Sequence, residues 1–444
     1  MSFRQIMDNF LSPEHEQIRI GENNDKYTIA VVGSGLAGLT AAYLLSKKHK
    51  VTLFERHPSL GMDAHSIDIN HEGKIARADV PLRVIYPGYY KTLMKLYSKL
   101  RIKTEKVSYA ASFTNNNEDS YFQYKNLRLG RLSIPYVKTR YLIRQESRRI
   151  ISDIFRLFRN INLGKFSLED NMSIEEYLLK HNYSKSFSEG FLYPTFAAIC
   201  TCTLDAVKEY PAEVILNYLN QGLLFRGVKR VTNGSREVVQ KLSDNVSKIR
   251  LSSKISSINN EEEKISITEE NGKKTYYDHV VFGIPANKVS DILGEEFSSE
   301  LELLNSFSYE NSTVLMHSDK RLAPIDRTTW SPVNLISSSR NSTPMATIWM
   351  NKVQPMLKGT SPIFQTWNPI FEPRENLIIS EAKFERPIVD KKAIINVEKL
   401  KKLHLEENRK IWFCGSYAQY AVPLLESACS SAVFVSERLG CKLV

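Results

Sequence analysis

The stretch from Tyr27 to Glu55 constrains this chain more than any other. Tyr27-Thr28-Ile29-Ala30-Val31-Val32 is a β-branched run that stops at Gly33-Ser34-Gly35-Leu36-Ala37-Gly38, and helical composition follows from Leu39. A second β-rich run, Val51–Phe54, ends at Glu55, seventeen residues after Gly38. A G-x-G-x-x-G turn between a strand and a helix, closed by a strand with a terminal acid, is a βαβ unit suited to a dinucleotide. Gly33 permits the tight turn, Gly35 lets a pyrophosphate approach the backbone, and Gly38 lets helix and strand pack closely. The helix N-terminus then offers N–H groups to the anion. Glu55 would accept from ribose hydroxyls and disfavour a 2′-phosphate, so FAD or NAD is expected and NADP is not.

At 444 residues the chain exceeds the size of one hydrophobic core, roughly 250–300 residues, so at least two domains are expected. Five cysteines with no C-x-x-C spacing encode neither a disulfide framework nor a metal site, which suits a reducing compartment. The N-terminus has no apolar core for secretion and carries early acids, and the most apolar stretch, Ile29–Leu45, is the glycine turn and its helix. A cytoplasmic protein without a membrane span is expected.

Net charge is +11, from 60 basic and 49 acidic residues, and the excess is concentrated. Between Tyr121 and Lys165 eleven basic residues face only Glu146 and Asp153, a local charge of +9. The pattern over Thr139–Arg159 predicts an amphipathic cationic helix, with Ile150, Ile151, Ile154, Phe155 and Phe158 on one face and Arg149, Ser152, Arg156 and Arg159 on another. Such a helix rests on anionic lipid, binds an acidic partner, or packs on the core with a solvated back. No nucleic-acid module accompanies it.

The fold class is α/β: a Rossmann-like dinucleotide domain with a discontinuous α+β substrate domain. A polar leader covers 1–25, the dinucleotide domain 26–95, 228–297 and 408–444, and the substrate or lid domain 96–227 and 298–407. The middle, from about Leu96 to Phe225, reads as mainly helical, with Ser173–Glu176 as a capping box. Runs at Val246–Ile258, Lys264–Ile267 and Thr275–Ile284, turning at Asn271-Gly272, read as a meander joining the first sheet. Thr313–His317, Ala346–Met350 and Ile363–Trp367 suggest a second sheet, and Glu426–Leu439 a helix stopped by Gly440.

Val31–Glu55 together with Gly61-Met62-Asp63-Ala64-His65 resembles the two-part FAD signature of the flavin amine oxidase and desaturase superfamily. The resemblance extends through Ala110–Phe113, Pro194–Ile199, Asn233–Ser235, Asp278–Phe282, Trp349–Gln354 and Trp367–Pro369, nearest to that superfamily's NAD/FAD-binding branch. It implies noncovalent FAD held by Gly33, Ser34, Gly35, Leu36, Ala37 and Gly38, by Glu55 and Arg56, and by Gly61 and Met62. It further implies a backbone contact near Ile255, and the flavin ring under Gly415 and Ser416 and the final helix at Glu426, Ser427 and Ala428. Positive helix dipole there would favour reduced, anionic flavin. The chain departs from the pattern at Met62 and Leu425, where the family has a glycine and a histidine, and at Ala428 and Ala432, where glycines are common.

His65, inside the signature, and Lys352 are the catalytic candidates; His317 is a third titratable group, whose other reading is a core histidine. Arg83, four residues after Asp79, would pair with the pyrophosphate or the reduced flavin, or else form a surface salt bridge. Cys200 and Cys202 read as buried thiols, and Cys414 does not resemble a covalent flavin attachment. The expected function is an FAD-dependent oxidoreductase removing a hydride from a small lipophilic or amine-bearing substrate. A flavoprotein isomerase and a non-catalytic FAD-stabilised scaffold are the alternatives.

Overall fold

A computed structural model describes residues 26–444 except 72–73, 116–118, 130–131, 163–171, 222–226 and 339–340. The proposed leader, and the part of the basic stretch that includes Arg131 and Lys165, lie outside the described residues.

The predicted βαβ unit is β1 (Thr28–Val32), α1 (Leu36–Leu45) and β2 (Lys50–Phe54). Every strand pair in its sheet is parallel, in the order Lys248–Arg250, β2, β1, His279–Phe282, Ile411–Phe413. β1 is central and covered on both faces, so it is apolar throughout rather than alternating. Ile29 and Val31 join the core with α1, while Ala30 and Val32 join one with Ile258, Ile265, Val397 and Leu400. In α1 every residue except Tyr43 is buried, as a helix apolar all round must be. The final helix, Leu425–Arg438, packs beside it. Because β2 lies on one side of β1 and His279–Phe282 on the other, the glycine turn opens into the crevice where an α/β sheet binds ligands.

The second sheet has eight strands, in the order Ile378–Pro387, Tyr309–His317, Phe364–Trp367, Met345–Trp349, Val333–Ser337, Ala111–Asn115, Ser120–Leu129, Leu132–Val137. Its last three strands correct the mainly helical reading of the middle. From Gln123 the sequence alternates polar and apolar residues in a way that suits a hairpin at a sheet edge. A second correction concerns the meander. Val246–Ile258 divides into Lys248–Arg250 in the parallel sheet and Ile255–Glu261 in a separate three-stranded antiparallel sheet with Lys264–Glu269 and Lys274–Tyr277. Gly272, at φ +81°, makes the expected turn.

The cationic helix is two pieces, Thr139–Leu142 and Gln145–Asn162. Ile150, Leu157 and Ile161 are buried, but Phe155 is 71% exposed, correcting the expected apolar face. At 3.6 residues per turn Phe155 points about 140° away from Ile150. Arg156 is also not free: it pairs with Asp153 at 2.8 Å, donates to the Asn182 carbonyl at 3.0 Å and lies 4.0 Å from the centre of the Tyr183 ring. Arg148, Arg149 and Arg159 have no such partner among the described residues, and Ile143 beside them is 76% exposed. No helix among the described residues is long and apolar enough to cross a membrane.

Candidate functional site

The three glycines of the turn answer to different constraints. Gly33 sits at φ +91°, and a Cβ there would overlap Ile284 and come within 3.3 Å of the Gly283 carbonyl oxygen. At Gly38 a Cβ would overlap the Gly33 carbonyl oxygen, so this position is fixed by strand–helix packing. Gly35 differs: its backbone is extended, at φ −63° and ψ 176°, and a Cβ would meet only Gly283 O, at an ordinary 3.8 Å. Nothing inside the protein requires glycine at 35. The residue lines a cavity of about 420 Å³ and precedes α1, whose first turn carries neither a side-chain cap nor an acid. Its amides are therefore available to an anion entering from that cavity.

Ser34 ties the two parts of the signature together. Its amide donates to Glu55 Oε2 at 3.1 Å, its hydroxyl donates to the same oxygen, and the Gly61 amide donates to that hydroxyl at 2.7 Å. The other oxygen of Glu55, Oε1, accepts from the His57 amide at 2.9 Å. The buried carboxylate is thus held rigidly beside the turn by hydrogen bonds with no cation in the set. Gly61 must stay small, since a Cβ would lie 2.6 Å from the Ser34 carbonyl oxygen.

The cavity, of about 420 Å³, runs from Gly35, Gly61 and Met62 past Arg83 to Trp367 and Arg386. Ser416, Leu424, Leu425 and Ala428 close it at the N-terminus of the final helix, where no side chain caps the first turn. Tyr86, Tyr90, Tyr109, Tyr124 and Tyr218 face it, and burial pushes each of their hydroxyls above the usual range, that of Tyr109 to about 12. They are neutral at physiological pH. Among the described lining residues the charged groups are Arg83 and Arg386 alone, each with its pKa lowered chiefly by burial, Arg386 to about 10. Arg83 donates to the Pro81 carbonyl at 3.3 Å and forms no ion pair with a carboxylate among the described residues. Asp79 is occupied instead by Ser235, with Arg230 at 3.5 Å.

The remaining sequence candidates divide. Gly415 and Ser416 adjoin the cavity; Gly415 exchanges hydrogen bonds with Ser431 at 3.0 Å. Ile255, itself buried, begins a partly exposed strand close to Ser253, whose amide donates to the Glu55 carbonyl, while Arg56 is exposed and Nε reaches His57. His65 stands behind the wall, its ring 5.3 Å from that of Phe384, with its pKa lowered by burial and then by His57 and Arg83. Three of the predicted side chains are directed elsewhere. Lys352 is exposed and lies over the Trp349 ring at 4.8 Å, away from the cavity lining. Glu426 points at another helix: its carboxylate accepts from the Thr92 and Leu93 amides at 2.7 and 3.0 Å, capping Lys91–Lys99. Ser427 donates to the Val422 carbonyl at 2.8 Å. His317 is a satisfied core histidine: Nε2 meets Thr366 Oγ1 at 2.7 Å, Nδ1 accepts from the Asp319 amide, and burial lowers its pKa to about 4.

Cys414 is buried, with Sγ on the Phe282 carbonyl and its thiol pushed up to about 12, and no described cysteine lines the cavity. Sequence reasoning missed Arg386 and the tyrosine wall. The cluster Tyr86-Pro87-Gly88-Tyr89-Tyr90 was a visible signal for the wall; Arg386 belongs to no motif.

Residues 31–100 match the family of NAD(P)-binding Rossmann-like domains. Over nearly its whole length the chain shares its fold with several solved structures. A fatty acid isomerase from P. acnes that produces CLA has a TM-score of 0.65 at 14% identity, covering 95% of this chain and 99% of its own. A protein from Exiguobacterium sp. 255-15 designated a protoporphyrinogen oxidase gives 0.64 at 13%, covering 94% and 99%. Putrescine oxidase bound to putrescine gives 0.59 at 13%, with the same coverages of 94% and 99%.

Proposed function

The chain has the amine oxidase-like, dinucleotide-binding α/β fold, and on that premise we propose that it is an FAD-dependent oxidoreductase that removes a hydride from a small, largely apolar substrate. The observation that carries this reading is the cavity itself, continuous from Gly35, a glycine unneeded by internal packing, to an aromatic chamber. The residues present fit the cofactor. The amides at the start of α1 would hold the pyrophosphate, Glu55 the ribose, and Arg83 the pyrophosphate or the reduced ring. The uncapped first turn of the final helix would lend positive dipole to the ring. The described lining carries no cysteine for a thioether to the flavin, which supports noncovalent FAD.

When bound, the flavin supplies the hydride acceptor. The chain's own residues supply orientation and exclude water, because no described histidine, lysine or carboxylate lines the chamber to act as a strong base. The test is the visible spectrum of the purified protein before and after anaerobic addition of candidate substrates. A flavin band that bleaches supports the reading, and colourless protein that cannot be reconstituted with FAD overturns it. Peroxide release marks an oxidase, a product of unchanged mass an isomerase, and a flavin that never bleaches a scaffold.

A separate proposal concerns the surface formed by Gln145–Asn162 and its approach. Exposed Ile143 and Phe155 among Arg148, Arg149 and Arg159 favour docking on an anionic membrane.

A further inference from the structure

Arg386 is half-buried on the cavity wall and only partly paired. It enters the chamber from strand Ile378–Pro387 and donates through Nε to Thr201 Oγ1 at 3.1 Å. Its guanidinium lies 5.5 Å from the centre of the Trp367 ring and 5.8 Å from that of Phe384, which hold it in place. Among the described residues no carboxylate forms an ion pair with it, and its two terminal nitrogens have no hydrogen-bond acceptor. A partly desolvated cation without a counter-ion is still costly in a folded protein. Side chains kept in such a state at a cavity wall are functional-site candidates.

The geometry selects the missing partner. With Nε engaged by Thr201, the free edge of the guanidinium is the Nη1–Nη2 pair, a planar two-donor fork that matches the two oxygens of a carboxylate. The walls around it, Phe113, Leu335, Ile348 and Trp367 among them, are apolar or aromatic. The positive charge of Arg386 itself disfavours an ammonium-bearing substrate at this end of the cavity.

We propose that the substrate is an apolar carboxylic acid, its carboxylate anchored end-on by Arg386 and its hydrocarbon part lying in the aromatic chamber. This rests on the oxidoreductase reading for the word substrate, but the binding site stands on its own geometry. Thr201 acts as a positioning residue, fixing the fork from behind.

The experiment titrates the purified holoprotein with decanoate, decylamine and decan-1-ol. Occupancy is read from the perturbation of the flavin band and, independently, by calorimetry. Decanoate is expected to bind at least about tenfold more tightly than the other two, a difference of about 1.4 kcal/mol. Arg386→Gln should remove that preference while its melting temperature and flavin content stay near the parent's, and Arg386→Lys should restore part of it. Equal or tighter binding of decylamine, or an undiminished preference for decanoate in folded Arg386→Gln, overturns the proposal. If the protein carries no flavin, the oxidoreductase reading fails, yet calorimetry with decanoate still decides whether Arg386 is a carboxylate site.

Discussion

Gly35→Ala separates what the fold requires of the glycine turn from what a ligand requires. The backbone at 35 is already in a region open to alanine, and the new Cβ would meet only Gly283 O at 3.8 Å. Lower unfolded-chain entropy contributes about 0.4–1 kcal/mol of stability, while alanine is a poorer N-cap than glycine by a similar amount, so the net change stays within about 1 kcal/mol. The same methyl group points into the space assigned to the pyrophosphate. Affinity for FAD should fall at least about 100-fold, or about 2.8 kcal/mol. Gly38→Ala provides the contrast, because its Cβ would overlap the Gly33 carbonyl oxygen, backbone against backbone. It should exceed the usual overpacking cost of about 1–3 kcal/mol. Thermal melts of the apoproteins, with FAD titrations followed by flavin fluorescence quenching, measure both quantities. A Gly35→Ala protein that melts like the parent and binds FAD as tightly would refute the reasoning, since nothing would then approach the turn from the cavity.

Glu426→Ala should cost about 1–2 kcal/mol by uncapping Lys91–Lys99, lowering the melting temperature without changing the ratio of flavin to protein absorbance. Burial holds His279, His317 and His404 neutral in the fold, with pKa values down at about 4, 4 and 3. Above about pH 6.5 they add no pH dependence, but below it the unfolded chain takes up protons the fold refuses, so stability should fall from pH 6.5 to 4 by on the order of 3 kcal/mol for each; a flat denaturant midpoint over that range would contradict the burial argument. For the membrane proposal, co-sedimentation with anionic vesicles should weaken as salt rises and be lost on replacing Arg148, Arg149 and Arg159 with Gln, while equal pelleting with neutral vesicles would exclude it.

The parts of the fold legible in the sequence are those fixed by local chemistry. The βαβ unit could be read because strand, turn, helix and acid follow one another within thirty residues, each stage carrying its own signal. The capping box at Ser173 and the turn at Gly272 were legible for the same reason. Where pairing partners are distant the reading failed. Lys248–Arg250 and Ile255–Glu261 look like one β-rich run, and only their separate partners, Thr52–Phe54 and Lys264–Glu269, divide them. The chain marks the division by Ser252, held at φ +51° between the two strands. The hairpin Ser120–Val137 was hidden because Lys125 and Arg128 counted towards a charged segment; its outer strand, Leu132–Val137, carries Pro135, which suits a sheet edge.

The candidate site shows the same boundary. Gly33, Gly38, Glu55 and Gly61 could be read because each is held to its neighbours in one turn or its companion loop, and Gly35 because it stands between two of them. Arg386 could not, since its environment is assembled from Thr201, 185 residues away, and from the Trp367 and Phe384 rings. Glu426 was assigned to the cofactor because its place in the chain matched a pattern, yet its two oxygens are spent on amides more than 330 residues earlier. That contact still bears on the chamber. Lys91–Lys99 begins directly after Tyr90, so the carboxylate that caps it also anchors the segment carrying Tyr86 and Tyr90 against the cavity. Leu425 puts an apolar side chain on the cavity wall at the start of the final helix, while Glu426 keeps that helix tied to the segment of the tyrosine wall. In this chain the final helix therefore shapes the cavity through packing, and the carboxylate recognition we propose falls to Arg386, on a strand of the second sheet.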